Sequence, residues 1–406
     1  MSKKWYNFSL FALGTLISNI GSGAQAIALP LYILDLTGSG TLMGILVFLS
    51  YIPKILLSPI AGVFGDRINR KYLMVGLDYA RGVIVFILGL FAYLKLLNIK
   101  ILFIAQIFIS ILDTFFSPAT SAMVADLVEE NELVRANSIL GIVGGISNII
   151  GPIIGGVIYS LGGILFIFII NAISFLGSAS FEIFIKYTPH KIKSALTFSF
   201  VMKEIKEGAL FIIKKRGLII LMGFSMFMNF LFNPFFQIVL PFIVRRIFEY
   251  PPYFLGFLEG MFVVGILIAN ILLSMFLAKK DTGTLMKVGV VILEFTFLSF
   301  LYSLSPLGAN RFFMILFAIG IGFSIPFIDN PAMANIMKMS PSIVRSRVMS
   351  MVNMLSQMMS PLGALLFGFI LDKIPYYFLL IAIGVFTLSL SILFVFWAPR
   401  EVFYPV

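Results

Sequence analysis

The sequence predicts an all-α integral membrane protein with twelve transmembrane helices in two six-helix, pseudo-symmetric bundles. Composition is the first support: 60% of the 406 residues are hydrophobic and only 12% are charged, whereas soluble domains are about half apolar. The mean hydropathy is +1.07. Apolar runs longer than about 18 residues, enough to cross a bilayer, recur along the chain. An internal repeat is the third support.

Runs bounded by charges or by Pro and Gly clusters define the spans. They lie near residues 8–34, 41–64, 71–95, 101–125, 138–162, 163–185, 217–244, 252–278, 284–304, 310–336, 346–371 and 376–398. The first could be mistaken for a signal peptide, because Lys3 and Lys4 precede it. Its length and the eleven similar segments after it predict a retained helix.

The distribution of basic residues predicts the orientation. With the N-terminus inside, only six of the 29 Lys and Arg fall on outer loops and two fall within spans, which leaves 21 on the inner side. This asymmetry predicts a protein of the cell (inner) membrane with both termini in the cytoplasm. It also explains the net charge of +11 without a nucleic-acid partner.

The two halves resemble each other at an offset of about 211 residues. Pro118-Ala119 matches Pro331-Ala332, and Arg135 matches Arg347. Such a repeat predicts a two-fold axis along the membrane normal, with a site between the halves near the midplane. We therefore expect a bundle over 1–185, a cytoplasmic linker over 186–216 and a second bundle over 217–406.

The linker is predicted to contain an amphipathic helix at the membrane surface. Apolar residues recur there at helical spacing, while Lys203, Lys206 and Glu207 fall elsewhere. The apolar positions are Phe198, Val201, Met202, Ile205, Ala209 and Ile212.

The chain has few side chains of the types that bind metals or act in catalysis. Cys is absent and His190 is the one histidine, so disulfides, zinc sites and His-based catalysis are not expected. Neither a Gly-x-Ser-x-Gly motif nor a phosphate-binding Gly-rich Lys loop occurs. We expect no enzyme activity, no cofactor and no metal.

A charged motif between spans two and three carries a resemblance to a known family. It reads Gly62-Val-Phe-Gly-Asp66-Arg67-Ile-Asn69-Arg70-Lys71. This resembles the Gly-x-x-x-Asp-Arg-x-Gly-Arg-Arg/Lys motif of the major facilitator superfamily. Asn69 replaces the usual Gly, a mild departure because Asn tolerates left-handed backbone next best.

The resemblance implies that Asp66, Arg70 and Asp126 form a charge cluster that locks one conformational state. Positive-inside anchoring is the alternative. It explains Arg67 and Lys71 adequately but Asp66 poorly.

Span five carries Gly151-Pro152-Ile-Ile-Gly155-Gly156. This is similar to the motif typical of antiporters in the family, with Ser147 in place of its leading Gly. Pro removes a backbone donor and glycines allow close helix approach, so a bend between the halves is expected. Ordinary packing is the alternative.

A further stretch resembles a particular branch of the family. Phe115-Phe116-Ser-Pro118-Ala119 is followed by Asp126-Leu127 and Arg135-Ala136-Asn137-Ser138. These residues look like the branch that holds macrolide-efflux proteins and the enterobactin exporter. Lysophospholipid flippases look similar, so the motif does not define the substrate.

Ionisable residues within spans are candidates for proton coupling, because a charge at mid-bilayer costs about 2.5–3.5 kcal/mol. They are Lys54, Asp113, Asp329, Glu259 and Glu294. The resemblance places Asp113 and Asp329 on helices that border the central cavity, where a carboxyl could exchange a proton against a cation. Lys54 could instead hold Asp113 as a permanent ion pair. Asp78 and Arg81, three residues apart, can neutralise each other.

A polar stripe on span seven is the candidate substrate site. Asn229, Asn233 and Gln237 recur every four residues amid Phe and Met, and span one offers Gln25 in the corresponding place. Amides beside aromatic and thioether side chains suit a bulky amphipathic ligand. Hydrogen bonding between helices is the alternative.

These features predict a monomeric, proton-coupled exporter of amphipathic drug-like or siderophore-like compounds that works by alternating access. Its partners would be a small amphipathic substrate, protons and the lipid bilayer. A lipid or lysophospholipid flippase of the same fold is the alternative function.

Overall fold

A computed structural model of the protein describes residues 3–187, 198–277, 279–304 and 311–404. Within these ranges, nothing can be said of the side chains of residues 3, 59, 62–67, 198–202, 204 and 205. His190 lies outside the described residues.

The regular elements of the described ranges are helical. The first half contains α1 (Lys3–Thr37), α2 (Gly40–Arg67), α3 (Arg70–Tyr93), α4 (Ile99–Leu127), a 3-10 turn (Glu130–Glu132) and α5 (Leu133–Ile183). The second half contains α6 (Phe198–Ile213), α7 (Arg216–Pro234), α8 (Leu240–Phe242), α9 (Pro252–Met275), α10 (Thr282–Ser303), α11 (Arg311–Met339), α12 (Ser342–Lys373), α13 (Tyr376–Trp397) and α14 (Arg400–Phe403).

The helices confirm the predicted class. Eleven of those in the described ranges are long and apolar enough to cross a membrane, and one segment, Glu130–Ile183, has 54 residues. A crossing needs about 20 residues, so this segment is long enough for two. Gly163 divides it, with φ 64° and ψ −163°, inside α5. The break lies at the boundary predicted between spans five and six, and twelve crossing segments result.

Proline and asparagine residues define several helix ends and irregularities. Asn98 caps α4 by accepting a hydrogen bond from the backbone N of Ile101. Pro234 and Pro241 each precede a π-helical turn, over Phe235–Val239 and Ile243–Ile247. Proline has no N–H to donate, so the register of backbone hydrogen bonds changes after it.

The chain divides into two compact units. Unit 1 comprises Met1–Gly38, Ile45–Val201 and Val244–Phe257, and unit 2 comprises Ser39–Gly44, Met202–Ile243 and Leu258–Val406. In unit 1, α5 packs along α1 and α3. In unit 2, α10 packs along α11, and α7 packs along α12.

An aromatic cluster fills the core of unit 2. Phe235, in the first π turn, lies 5.3 to 5.9 Å from the rings of Phe297, Phe300 and Phe317. All four side chains are at most 1% exposed. Such edge-to-face pairs are favourable beyond the burial of their area, so the cluster anchors the irregular part of the helix that carries the candidate amides.

The predicted linker helix is present as α6. Glu207 accepts a hydrogen bond from Arg347 of α12 and also lies near Lys203. Gly208 and Ile212 are buried, whereas Lys203 and Lys206 are exposed. The helix therefore packs against α12, and its amphipathic character and its position at the membrane surface stay predictions.

Candidate functional site

Arg70 and Asp126 join the start of α3 to the end of α4. The Arg70 Nη1 donates to Asp126 Oδ2 at 2.6 Å and to the carbonyl of Ala122 at 3.3 Å. The hydroxyl of Tyr187 donates to the same Asp126 oxygen at 2.9 Å. Burial, and next this hydrogen bond, raise the pKa of Tyr187 to about 12, so the hydroxyl remains a donor at neutral pH.

Asn69 has a different role from the one expected. Its φ of −60° and ψ of 111° are extended, so the left-handed conformation is not used. Its Oδ1 accepts from the backbone N of Lys71 at 3.1 Å and of Tyr72 at 3.4 Å. Asn69 is thus the N-cap of α3, a position for which asparagine is among the preferred residues.

The remaining motif residues are only partly described. Lys71 Nζ donates to the carbonyl of Ile183 at 2.7 Å. The side chains of Gly62, Asp66 and Arg67 lie outside the described residues, so the full charge cluster stays a prediction.

A second charge cluster lies inside unit 1, between α2, α3 and α4. Arg81 donates to Asp78 through Nη2 and to Asp113 Oδ1 through Nη1, the latter at 2.9 Å. Lys54 Nζ lies 3.4 Å from the other Asp113 oxygen. Asp113 therefore pairs with both cations, and Arg81 bridges two carboxylates.

The surroundings of Arg81 are apolar. Its guanidinium carbon lies 3.9 Å from the ring centroid of Phe116 and 4.7 Å from that of Phe175. Asp78 is fully buried and Arg81 is 5% exposed, while the Asp113 side chain keeps 29% exposure. Aromatic faces attract a desolvated guanidinium. The cluster is therefore held in place at its buried end, around Arg81, and is partly exposed to solvent at Asp113.

Glu182 belongs to the same region, and the sequence analysis missed it. It lies near the end of α5, is 1% exposed, and interacts electrostatically with Asp78 and Arg81. In the sequence, Glu182 could have been found as an acidic residue within predicted span six. It was not named because it lies three residues before the predicted end of that span, at residue 185.

The three other candidate acids are all in unit 2. Asp329 is exposed on α11, two residues before Pro331. Glu259 is half-buried on α9. Glu294 Oε1 accepts from Ser391 Oγ at 2.7 Å, which links α10 to α13. Glu294 thus has a helix-to-helix partner, and the coupling roles stay predictions.

The candidate amides differ in their surroundings. Gln25 is 7% exposed, and its Oε1 accepts from Asn171 Nδ2 at 2.7 Å, a bond between α1 and α5. Asn233 is exposed and donates to Asn229 Oδ1 at 2.8 Å. Gln237 is half-buried within the first π turn. The structure places Gln25 in helix packing and joins Asn229 to Asn233 as a pair.

The Gly and Pro residues of α5 lie at close helix contacts in unit 1. A Cβ on Gly151 would lie 3.1 Å from Gly23 Cα, and one on Gly155 would lie 2.6 Å from Ala24 Cα. A Cβ on Gly156 would lie 2.7 Å from the Pro252 carbonyl oxygen. Small residues allow such backbone approach in membranes, so this face of α5 packs against α1 and the start of α9.

Asp35 is the centre of a further polar contact in unit 1. Arg245 Nε donates to Asp35 Oδ1 at 2.7 Å and its Nη2 to Oδ2 at 3.3 Å. The Tyr159 hydroxyl donates to Asp35 Oδ2 at 3.0 Å. A two-point pairing of this kind fixes orientation as well as distance. Arg245 is one of the six basic residues that the sequence analysis assigned to outer loops, and Asp35 was not among its candidates.

Known proteins resemble this chain over nearly its whole length. Macrolide efflux protein A of Streptococcus pyogenes is 25% identical over 367 residues, which cover 89% of this chain and 88% of that protein. The crystal structure of nucleoside transporter NupG superposes with a TM-score of 0.77 at 14% identity, covering 97% and 98% of the two chains. A D-xylose-proton symporter superposes with a TM-score of 0.75 at 14% identity, covering 98% and 99%.

The two solved structures support the all-helical membrane fold. Residues 11–357 match the model of the Major Facilitator Superfamily. The protein is therefore a membrane transporter rather than an enzyme, and the chain belongs to the Major Facilitator Superfamily.

Proposed function

We propose that the protein is an exporter of amphipathic drug-like compounds, driven by protons in exchange and working by alternating access. The observation that carries the proposal is the similarity to macrolide efflux protein A over 89% of the chain. A macrolide is a macrocyclic lactone with polar and apolar groups. A macrolide therefore fits the amphipathic substrate that is expected from the sequence.

The pair Asn229 and Asn233 supports an amphipathic substrate. Asn233 is exposed, and Phe230 and Phe232 precede it in the chain. Amide groups can orient a ligand by hydrogen bonds, while aromatic side chains supply apolar contact. Gln237 extends this segment into the π turn.

The acids within the membrane support proton coupling. Asp113 and Asp329 come shortly before Pro118 and Pro331 on α4 and α11. Asp113 keeps partial exposure while it pairs with Arg81 and Lys54. A carboxyl that is accessible in one state and desolvated in another can bind and release a proton. With both termini in the cytoplasm, as the basic loops predict, the substrate would leave the cell as protons enter.

Transport of radiolabelled erythromycin into inverted membrane vesicles tests the proposal. The vesicles come from cells that lack their own drug exporters and contain either this protein or none. An acidic lumen should drive erythromycin accumulation against its gradient, and a protonophore should abolish that accumulation. Absence of accumulation above the empty vesicles would contradict export of macrolides.

The same vesicles separate the alternative function. A fluorescent lysophospholipid that changes leaflet at the same rate with and without a proton gradient would favour a flippase. Erythromycin accumulation that persists after the gradient is collapsed would contradict proton coupling but not export.

A further inference from the structure

The buried end of the Arg81 cluster contains several polar atoms without a partner. Among the described residues, seven buried side-chain N or O atoms have no hydrogen bond. Four of them belong to this region: Asp78 Oδ2, Arg81 Nε, Ser178 Oγ and Glu182 Oε2. Unpartnered buried polar groups are rare in native proteins, and each calls for a physical explanation.

The charges of the cluster do not balance. Asp78, Asp113 and Glu182 are three acids, whereas Lys54 and Arg81 are two cations. With every group ionised, one negative charge is in excess in surroundings that include two aromatic rings. An uncompensated charge in a low-dielectric interior is costly, and binding one proton removes it.

Hydrogen bonds to Arg81 indicate which acid binds that proton. Arg81 donates directly to Asp78 and to Asp113, so protonating either carboxylate would break a charge-assisted hydrogen bond. Glu182 interacts with Arg81 only through space, and its Oε2 has no partner. Protonation therefore costs least at Glu182, where no ion pair has to be broken.

We propose that Glu182 is a further proton-binding carboxyl of unit 1, beside Asp113, and that it acts on Asp113 through Arg81. A protonated Glu182 leaves Arg81 bridged between Asp78 and Asp113. A deprotonated Glu182 competes for the guanidinium, whose Nε is free of other partners among the described residues. Arg81 then moves from Asp113, and Asp113 is left with Lys54 and can bind a cationic amine.

α5 packs against α1, α3 and α4, and α3 and α4 supply charged groups of this region. α3 supplies Asp78 and Arg81, and α4 supplies Asp113. α2 supplies Lys54. Lys71 donates to the carbonyl of Ile183, the residue that follows Glu182. Lys71 Nζ thus has a backbone partner close to Glu182, and Arg81 is the cation that interacts with the Glu182 side chain.

This inference rests on the proposed proton-coupled export, because it names the group that carries the proton. The bound proton can nevertheless be observed without any substrate. Infrared difference spectra of the purified protein between alkaline and neutral pH report the C=O stretch of a protonated carboxyl. A carboxyl that is protonated at neutral pH gives a band there, whereas solvated carboxyls, with pKa values near 4, do not.

The expected result is a carboxyl band at neutral pH in the wild-type protein, one component of which is lost in Glu182→Gln. Glu130→Gln, which changes an exposed glutamate of the short 3-10 turn, should keep the band. Loss of the band in Asp78→Asn with retention in Glu182→Gln would overturn the assignment to Glu182. A wild-type protein without the band would overturn it as well.

A second variant covers the possibility that Glu182→Gln does not fold. Glu182→Asp keeps a titratable group, and its carboxyl band should shift in frequency rather than disappear. An unshifted band in Glu182→Asp would contradict the proposal.

Transport then tests the link to Asp113. In the vesicle assay Glu182→Gln should lose proton-driven accumulation of erythromycin while downhill exchange of erythromycin continues. Full proton-driven accumulation in Glu182→Gln would overturn the coupling role. A wild-type protein that shows the band but no erythromycin transport would contradict the proposed function and leave the proton site standing.

Discussion

Arg70 has a role that the distribution of positive charge alone does not explain. An anchoring cation needs only to lie near anionic lipid, whereas Arg70 is 12% exposed and donates to both Asp126 and a backbone carbonyl. Tyr187 donates to the same carboxylate. Charge-assisted hydrogen bonds in a partly buried site are about twice as strong as neutral ones, so this group holds α3 to α4 in one arrangement.

Replacing Arg70 should therefore impair transport more than the loss of one positive charge does. Arg70→Ala is expected to reduce erythromycin accumulation in inverted vesicles at least tenfold, because the balance between conformational states changes. Insertion and erythromycin binding by the purified protein should persist. Lys214→Ala, which removes an exposed linker cation, is the matched control. Equal transport by the two variants would support plain anchoring.

Asn233 allows the candidate substrate site to be tested directly. The chain contains no cysteine, so a thiol reagent can label only the cysteine that is introduced. Asn233→Cys should react with a membrane-impermeant maleimide and be protected by erythromycin, because an exposed amide in a polar pair would face water. Ser324→Cys, at a fully buried position on the same unit, should stay unlabelled. Labelling of Asn233→Cys only by a lipid-soluble reagent would place the pair at the lipid surface.

For individual residues, the sequence predicts which ones are unusual but not which groups each one contacts. Hydropathy identifies Asp113 and Lys54 as charges within spans, and the structure adds Arg81 as a second partner of Asp113. Gln25 was expected to face substrate, and its pairing with Asn171 depends on how α1 packs along α5. Glu182 was missed because a charge near the end of a span looks the same in sequence whether it faces the loop or the core.

The α5 segment shows how much sequence can predict at the scale of one element. The sequence predicted a boundary between residues 162 and 163, and Gly163 provides it with a φ of 64°, a conformation that glycine adopts without strain. A turn of separate loop residues is not needed, so the two spans form one kinked helix. The Gly-Pro motif earlier in α5 was expected to bend and pack, and the structure places its glycines against α1 and the start of α9.

Gly155→Ala should destabilise the protein because the new methyl group has no room. Its Cβ would lie 2.6 Å from both the Cα and the carbonyl oxygen of Ala24, and backbone atoms cannot move aside as side chains do. Overpacking of this kind costs about 1–3 kcal/mol. Thermal unfolding in detergent should show a lower melting temperature for Gly155→Ala than for the wild-type protein.

Gly141→Ala is the matched control for Gly155→Ala on the same helix. Nothing lies within 4 Å of the Cβ that it adds, and alanine favours a helix over glycine by up to about 1 kcal/mol. Its melting temperature should therefore stay unchanged or rise. A similar decrease in both variants would show that helix packing at Gly155 is not the cause.

The irregular end of span seven could not be predicted in the same way. Pro234 and Pro241 indicate a disturbed helix, but hydropathy does not distinguish a kink from two π turns. The aromatic cluster around Phe235 depends on α10 and α11. Its partners are more than 60 residues away in sequence, so only tertiary packing determines where the Phe235 side chain lies.

For the whole molecule, the physics of the bilayer makes the span count predictable. Each crossing must satisfy its own backbone hydrogen bonds and present apolar side chains, so composition and run length together define the spans. The composition of the units is harder to predict. Val244–Phe257 packs within unit 1 and Ser39–Gly44 within unit 2, because contacts such as the pair of Asp35 and Arg245 form between residues about 210 positions apart.

Asp329 allows the sharpest test of coupling in the second half of the chain. Asp113 is less suitable, because Asp113→Asn would leave Arg81 and Lys54 without one of their anions and could damage folding instead of coupling. Asp329 is exposed, and its replacement by Asn mimics the protonated carboxyl with little change in shape. Asp329→Asn should therefore remove a titratable carboxyl and leave the structure nearly unchanged.

Asp329→Asn should abolish uphill transport and preserve exchange. Proton-driven accumulation of erythromycin needs a carboxyl that alternately binds and releases a proton, whereas downhill exchange of labelled for unlabelled erythromycin does not. Both rates should be measured in one reconstituted system, with Glu401→Gln, an exposed acid of α14, as the control that keeps both activities. If Asp329→Asn retains full uphill transport, the coupling acid of this half lies elsewhere, and the same comparison applies next to Glu259 and then to Glu294. If exchange is lost together with uphill transport, Asp329 acts in substrate binding or in the conformational change rather than in proton transfer.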